Sequence, residues 1–163
     1  LLFLIMMTPM IVPVILIAIG TFYVFGKLGL VNSITGLVLA HTVLAVPIVM
    51  IIITSALSTY DLNQERVAQS LGSTRLRAFF DITLPQLKFS VLTAALLAFL
   101  TSFDEVIISI FLSGGSNSTL TKQMFSALRD YIDPTIAAIS TLMILLSTGL
   151  MLGLRLFGNT SAR

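Results

Sequence analysis

Apolar residues dominate four long stretches, 1–25, 34–57, 89–112 and 134–154, and most of the charges fall in the links between them. A bilayer core about 30 Å thick takes roughly 20 residues of helix at 1.5 Å each, so each stretch is long enough to cross it. The pattern predicts an all-α membrane bundle of about four transmembrane helices, a single domain over 1–163. Pro9 and Pro13 fall in the first stretch, and His41 and Pro47 in the second. A membrane helix tolerates proline where neighbours satisfy the freed carbonyls. Asp104 and Glu105 interrupt the third stretch, while Asp133 and Arg155 bound the fourth.

Composition agrees with the pattern. Of 163 residues, 56% are hydrophobic and 10% charged, whereas a soluble domain carries roughly a quarter charged residues. Nine Lys and Arg against seven Asp and Glu leave a net charge of +2, too dispersed for a nucleic-acid partner. The absence of cysteine removes disulfides, thiolate metal sites and thiol nucleophiles. The chain opens on Leu1 with neither the basic segment nor the cleavage site of a secretory signal. It reads as the C-terminal part of a longer membrane protein.

Basic residues are retained on the cytoplasmic side of a membrane. Arg66, Arg75, Arg77 and Lys88 lie in 59–88, and Arg155 and Arg163 follow the last stretch. The other side holds Lys27, Lys122 and Arg129. Residues 59–88 and the C-terminus are therefore expected in the cytoplasm, and 113–133 outside.

A thirty-residue link is long for bare loop and should carry structure of its own. Asp61 with Gln64 three positions on resembles a capping box, residues 62–71 read as a helix, and Gly72 sits where a left-handed residue would end it. Ser73 or Thr74 can cap a second short helix that Pro85 is expected to stop. Val67, Ala68 and Leu71 form an apolar stripe expected to rest on the membrane domain, leaving Gln64, Arg66, Ser70 and Arg75 polar. On spacing alone, this helix pair is either a functional element or an interfacial connection between two spans.

Glu65-Arg66-Val67-Ala68-Gln69-Ser70-Leu71-Gly72, followed by Ile82-Thr83-Leu84-Pro85, resembles the cytoplasmic coupling loop of ABC importer permeases, a binding-protein-dependent transport family. The family pattern is Glu-Ala-Ala, three residues, Gly, then about nine residues and Ile-x-Leu-Pro. Ala68, Leu71, Gly72, Ile82, Leu84 and Pro85 match. Arg66 and Val67 depart, and Glu65 stands one residue early. Thr8-Pro9-Met10-Ile11-Val12-Pro13, Ala40-His41-Thr42 with Pro47, and Ser102-Phe103-Asp104-Glu105-Val106 with Ser113-Gly114-Gly115 look like the spermidine/putrescine branch.

The resemblance implies a multi-pass subunit of the bacterial inner membrane whose loop docks on cytoplasmic ATPase subunits. Its partners would be two such ATPases, a second permease subunit of a different chain, an extracytoplasmic solute-binding protein and membrane lipid. It implies no cofactor of its own, since ATP is bound by the partner subunits. Permeases for phosphonate, thiamine or iron would look similar, and a structural or inactive membrane subunit is the alternative from another class.

Asp104 and Glu105 would each cost several kcal/mol against lipid. They read either as carboxylates along a cation path or as solvated or structurally bonded groups near the outer helix end, about 16 residues or 24 Å beyond Lys88. At consecutive helical positions their side chains would point about 100° apart, so at most one would face the path. His41 reads as a proton relay or a packing residue, and Pro47 as a hinge or an ordinary kink. Gly149-x-x-x-Gly153 reads as a contact with the partner permease or as packing within the subunit. The polar 114–133 segment reads as a docking surface for a binding protein or a solvated connection.

Enzyme signatures are missing. Between Gly20 and Gly26 there are five residues where a phosphate loop has four, and Leu28 follows Lys27 in place of Ser or Thr. A nucleophile elbow and a His-Glu-x-x-His pair are both lacking, and only one span carries carboxylates. These points exclude ATP hydrolysis by the chain itself and name no catalytic or metal-ligating residue.

Overall fold

The computed structural model describes residues 2–130 and 134–159. Leu1, used in reading the start of the chain, and Asp133, Arg163 and the side chain of Arg155, used in reading the charge pattern, lie outside what is described. The described chain is helical, in the order α1 (Leu2–Ile11), α2 (Val14–Leu28), α3 (Ile34–Ser58), α4 (Asn63–Ser70), α5 (Arg75–Ala78), a π turn (Phe79–Thr83), α6 (Leu84–Asp104), α7 (Ile107–Leu112), a 3₁₀ turn (Gly115–Asn117), α8 (Leu120–Asp130) and α9 (Pro134–Asn159). Among the described residues, three segments are long and apolar enough to cross a membrane, Ile34–Ser58, Arg75–Asp104 and Thr135–Gly153, and the bent pair α1 and α2 makes a fourth if it counts as one span.

The helix expected over 1–25 is broken. Its two parts, α1 and α2, meet at a bend of 109°. Pro13 supplies the cause, because it lacks an amide hydrogen and drives Val12 away from helical geometry. Pro13 itself is extended, and its carbonyl begins α2 by accepting from Leu16 N at 2.9 Å.

From Gly29, left-handed at φ 68°, the chain turns into α3, whose first turn Ser33 caps through Gly36 N at 3.0 Å. A Cβ on Gly36 would lie 2.1 Å from Leu30 O, so this turn closes only around a glycine. The buried core sits beside it, where Ala18 of α2, Ala40 of α3 and Ile108 and Leu112 of α7 meet, with Val14, Leu37, Leu44 and Phe111 around them. Asn32 N donates to Leu112 O at 2.8 Å, pinning the α2–α3 turn to α7.

Two expectations for the 59–112 region are corrected. Pro85 does not stop a helix. It lies in the first turn of α6, and the chain runs helical from Arg75 to Asp104 for 30 residues. The π turn makes this continuity workable: Leu84 N reaches back five residues to Phe79 O, just where Pro85 has no donor for the next regular bond. The helix then ends at Asp104 instead of continuing to 112, because Glu105 turns extended (φ −75°, ψ 110°) and α7 starts separately.

Candidate coupling element and carboxylate sites

Residues 61–72 fold from local signals. Asp61 Oδ1 accepts from Asn63 N at 2.9 Å just before α4, but the expected capping box does not close, because Gln64 Oε1 is taken by Gln86 Nε2 instead. At the other end Gly72 has φ 93°, and Ser73 N and Gly72 N donate to Ala68 O and Gln69 O, each at 3.0 Å. That pair of bonds is the Schellman arrangement, in which the left-handed residue lets two orphan carbonyls find donors. Between Ser73 and Thr74, the structure selects Thr74, whose Oγ1 accepts from Arg77 N at 3.3 Å. The product is two short helices at a sharp turn, the second continuous with the long span.

The apolar stripe faces the opposite way from expectation. Val67 is 59% exposed and Leu71 84%, and only Ala68 of the three is partly covered. Leu76 is 74% exposed and Phe80 also stands open. Periodicity placed Val67 and Leu71 on one face, but that face points away from the bundle. Arg66, on the same helix, is exposed as well.

Glu65 turns inward. Its Oε1 accepts from Thr83 Oγ1, which also lies 2.9 Å from Tyr60 OH. Gln86 Nε2 donates to Gln64 Oε1 nearby. Thr83 is 2% exposed and sits in the π turn between Ile82 and Leu84 of the motif. Neither Tyr60 nor Thr83 carried a signal of its own in the sequence, since their meeting spans 23 residues and follows no helical period.

Asp104 and Glu105 part company at the far end of α6. With α6 ending between them, their side chains are not fixed 100° apart as on a continuous helix. Glu105 becomes a cap: its Oε1 accepts from Ile108 N at 2.9 Å, and its carbonyl accepts from Ser109 Oγ at 2.9 Å and Thr121 Oγ1 at 3.3 Å. Asp104 is exposed and forms no hydrogen bond or ion pair among the described residues. It borders a cleft of about 440 Å³ shared with Leu100, Phe103, Met143, Ser147 and Thr148.

Other single residues resolve as well. His41 is 8% exposed, and its Nδ1 lies 2.8 Å from Ser102 Oγ, a packing contact between α3 and α6. Lys122 of α8 reaches back to α7, donating from Nζ to Ile110 O at 3.1 Å and to Ser113 O. Positions 149 and 153 have open space around them, so within the described residues no helix packs on the Gly149-x-x-x-Gly153 face.

Comparison with known proteins draws these features together. Over 106 residues the chain is 38% identical to the putrescine transport system permease protein PotI of Escherichia coli (strain K12), covering 65% of this chain and 38% of that protein. It is 33% identical over 150 residues to the spermidine/putrescine transport system permease protein PotC of Haemophilus influenzae, covering 92% of this chain and 57% of that protein. A sulfoquinovosyl glycerol transport system permease protein of Agrobacterium fabrum is 32% identical over 108 residues, 66% of this chain and 37% of that protein. The chain thus spans less than two thirds of the length of these relatives. A family model matches residues 1–160, and on that match the chain belongs to the binding-protein-dependent transport system inner membrane components.

Proposed function

We propose that this chain is the membrane-spanning part of an ATP-driven importer for polyamines such as spermidine and putrescine. In this reading it pairs with a second permease subunit in the bacterial inner membrane and receives solute from an extracytoplasmic binding protein. Two separate ATPase subunits bind the ATP, and the C-terminus lies on their side of the membrane. The observation that carries the proposal is the outward apolar face of Val67, Leu71 and Leu76 around the Gly72 turn. Such a face needs an occupant, and a groove on a cytoplasmic ATPase is the partner that the family implies.

The rest of the element suits transmission. From Arg75 the helix runs unbroken for 30 residues, about 45 Å at 1.5 Å per residue, so a push at the turn reaches the other end as a rigid-body motion. The motif residues divide accordingly: Arg66, Val67, Leu71 and Gly72 form the docking side, while Ala68, Ile82, Leu84 and Pro85 belong to the support behind it. Asp104 is the carboxylate of its pair assigned to the solute path, because Glu105 already caps α7. The polyamine assignment leans on the two relatives whose names specify putrescine or spermidine.

The test is co-isolation of the tagged full-length protein with its ATPase in mild detergent, comparing the natural loop with Leu71→Asp. Capture by the natural loop and its loss in the variant are expected, with polyamine-stimulated ATP hydrolysis in the natural complex. A properly inserted protein that captures no ATPase in either form would move the reading to a structural membrane subunit. Stimulation by another solute alone would overturn the polyamine assignment.

A further inference from the structure

α4 has no buried residue. Apolar packing therefore does not hold it against the membrane helices, although the proposed function requires that a force on α4 be delivered to them. The connection is polar: Gln86 Nε2 donates to Gln64 Oε1 at the exposed edge, and the shielded part converges on one atom. Thr83 Oγ1 touches both Tyr60 OH and Glu65 Oε1, joining the segment after α3, the first half of α4 and the π turn of the long helix. An ionised carboxylate can only accept, so Thr83 donates its one hydrogen to Glu65 and must accept from Tyr60. All three side chains are thereby oriented in one direction, Tyr60 to Thr83 to Glu65. The link is shielded, since Thr83 is 2% exposed, and hydrogen bonds gain strength where water is excluded.

We infer that Tyr60, Thr83 and Glu65 form a latch fixing the coupling helix to the base of the long span, with Thr83 as the positioning residue. The inference rests on the proposed coupling role and deepens it. Glu65 then serves transport from inside the element and is not part of the face offered to the ATPase. With the latch intact, displacement of α4 moves the long helix. Without it, α4 still docks but swings about the Gly72 turn, and ATP is hydrolysed with little solute moved.

The experiment uses the full-length permease assembled with its partner permease and ATPase in vesicles, with putrescine as solute, and reads solute moved per ATP hydrolysed alongside ATPase capture. Thr83→Val keeps the shape and removes the hydroxyl. It should capture ATPase at the natural yield while the transport ratio falls about tenfold, the scale of losing a charge-assisted hydrogen bond. Thr83→Ser should restore the ratio, and Tyr60→Phe should lower it by less. Adding Tyr60→Phe to Thr83→Val should cost nothing further, because both act through one hydroxyl. Glu65→Ala, on a helix without buried residues, guards against misfolding at Thr83 and should give the same uncoupled behaviour. A natural ratio in either Glu65→Ala or well-inserted Thr83→Val overturns the latch. Failure of the natural protein to capture ATPase would instead defeat the coupling role beneath it.

Discussion

His41 Nδ1 and Ser102 Oγ meet at 2.8 Å across the interface of α3 and α6, sixty-one residues apart in the chain. Nε2 of the same imidazole is buried without a hydrogen-bond partner among the described residues, so the bond to Ser102 is the side chain's one polar contact there. Ser102→Ala would strand both ring nitrogens. We expect a loss of about 1–3 kcal/mol, read as a lower unfolding midpoint of the purified protein in detergent, and near-natural stability for Ser102→Thr. An unchanged midpoint in the alanine variant would show that this contact adds nothing to the α3–α6 pairing.

Gly72 makes a graded prediction. Its φ of 93° is costly for any residue with a Cβ, yet nothing lies within 4 Å of the place a Cβ would occupy. The penalty is therefore conformational and not steric, about 1 kcal/mol for alanine and more for a β-branched residue. ATPase capture should fall in the order Gly, Asn, Ala, Val at this position, with membrane insertion unchanged throughout. Equal capture by Gly72→Val and the natural protein would detach the turn from the docking role.

Lys122 and the end of α7 give a local test. Its ammonium serves carbonyls at the C-terminal end of that helix, where a positive charge is favoured by the helix dipole as well. Lys122→Met keeps most of the aliphatic stem and removes the donors. The expected loss is about 1–3 kcal/mol, and the α7 amides should exchange hydrogen faster than those of α3. Identical exchange would place the anchor of α7 elsewhere, in its contact with α2.

Asp104 and Glu105 should separate cleanly by phenotype. Glu105→Ala removes a helix cap and should cost about 1 kcal/mol of stability. Asp104→Asn breaks no bond among the described residues, so its unfolding midpoint should stay put while putrescine uptake weakens, by roughly fivefold if one partly exposed charge is lost. That deficit should shrink as salt is raised. If uptake is untouched, Asp104 does not line the route.

Which parts of this could be read from the chain follows from the range of the forces involved. Asp61, Gly72 and Thr74 act within three or four residues of themselves, and their turn was legible residue by residue. The hydrophobic stretches likewise announced a helical membrane protein. Val67 and Leu71 mark the first limit: periodicity groups residues on a face but does not say what that face meets. Pro13 marks another, since proline in an apolar stretch is compatible with a kinked span or a 109° bend, and only neighbouring packing chooses. The Tyr60, Thr83 and Glu65 contact and the reach of Lys122 depend on side chains brought together by tertiary folding, with no spacing rule to reveal them.

The π turn at Phe79–Thr83 has a consequence for how this loop can vary. It accommodates one residue more than regular helix would, and each helical residue turns the chain by about 100°. Deleting one residue there would let the turn close as regular helix and leave the Gly72 turn facing nearly the same way, whereas a deletion in the regular helix between Gly72 and the π turn would swing it a quarter of the way around the axis of the long span. The extra residue is thus a reserve of angular registration: it can be lost without changing which direction the exposed apolar face looks.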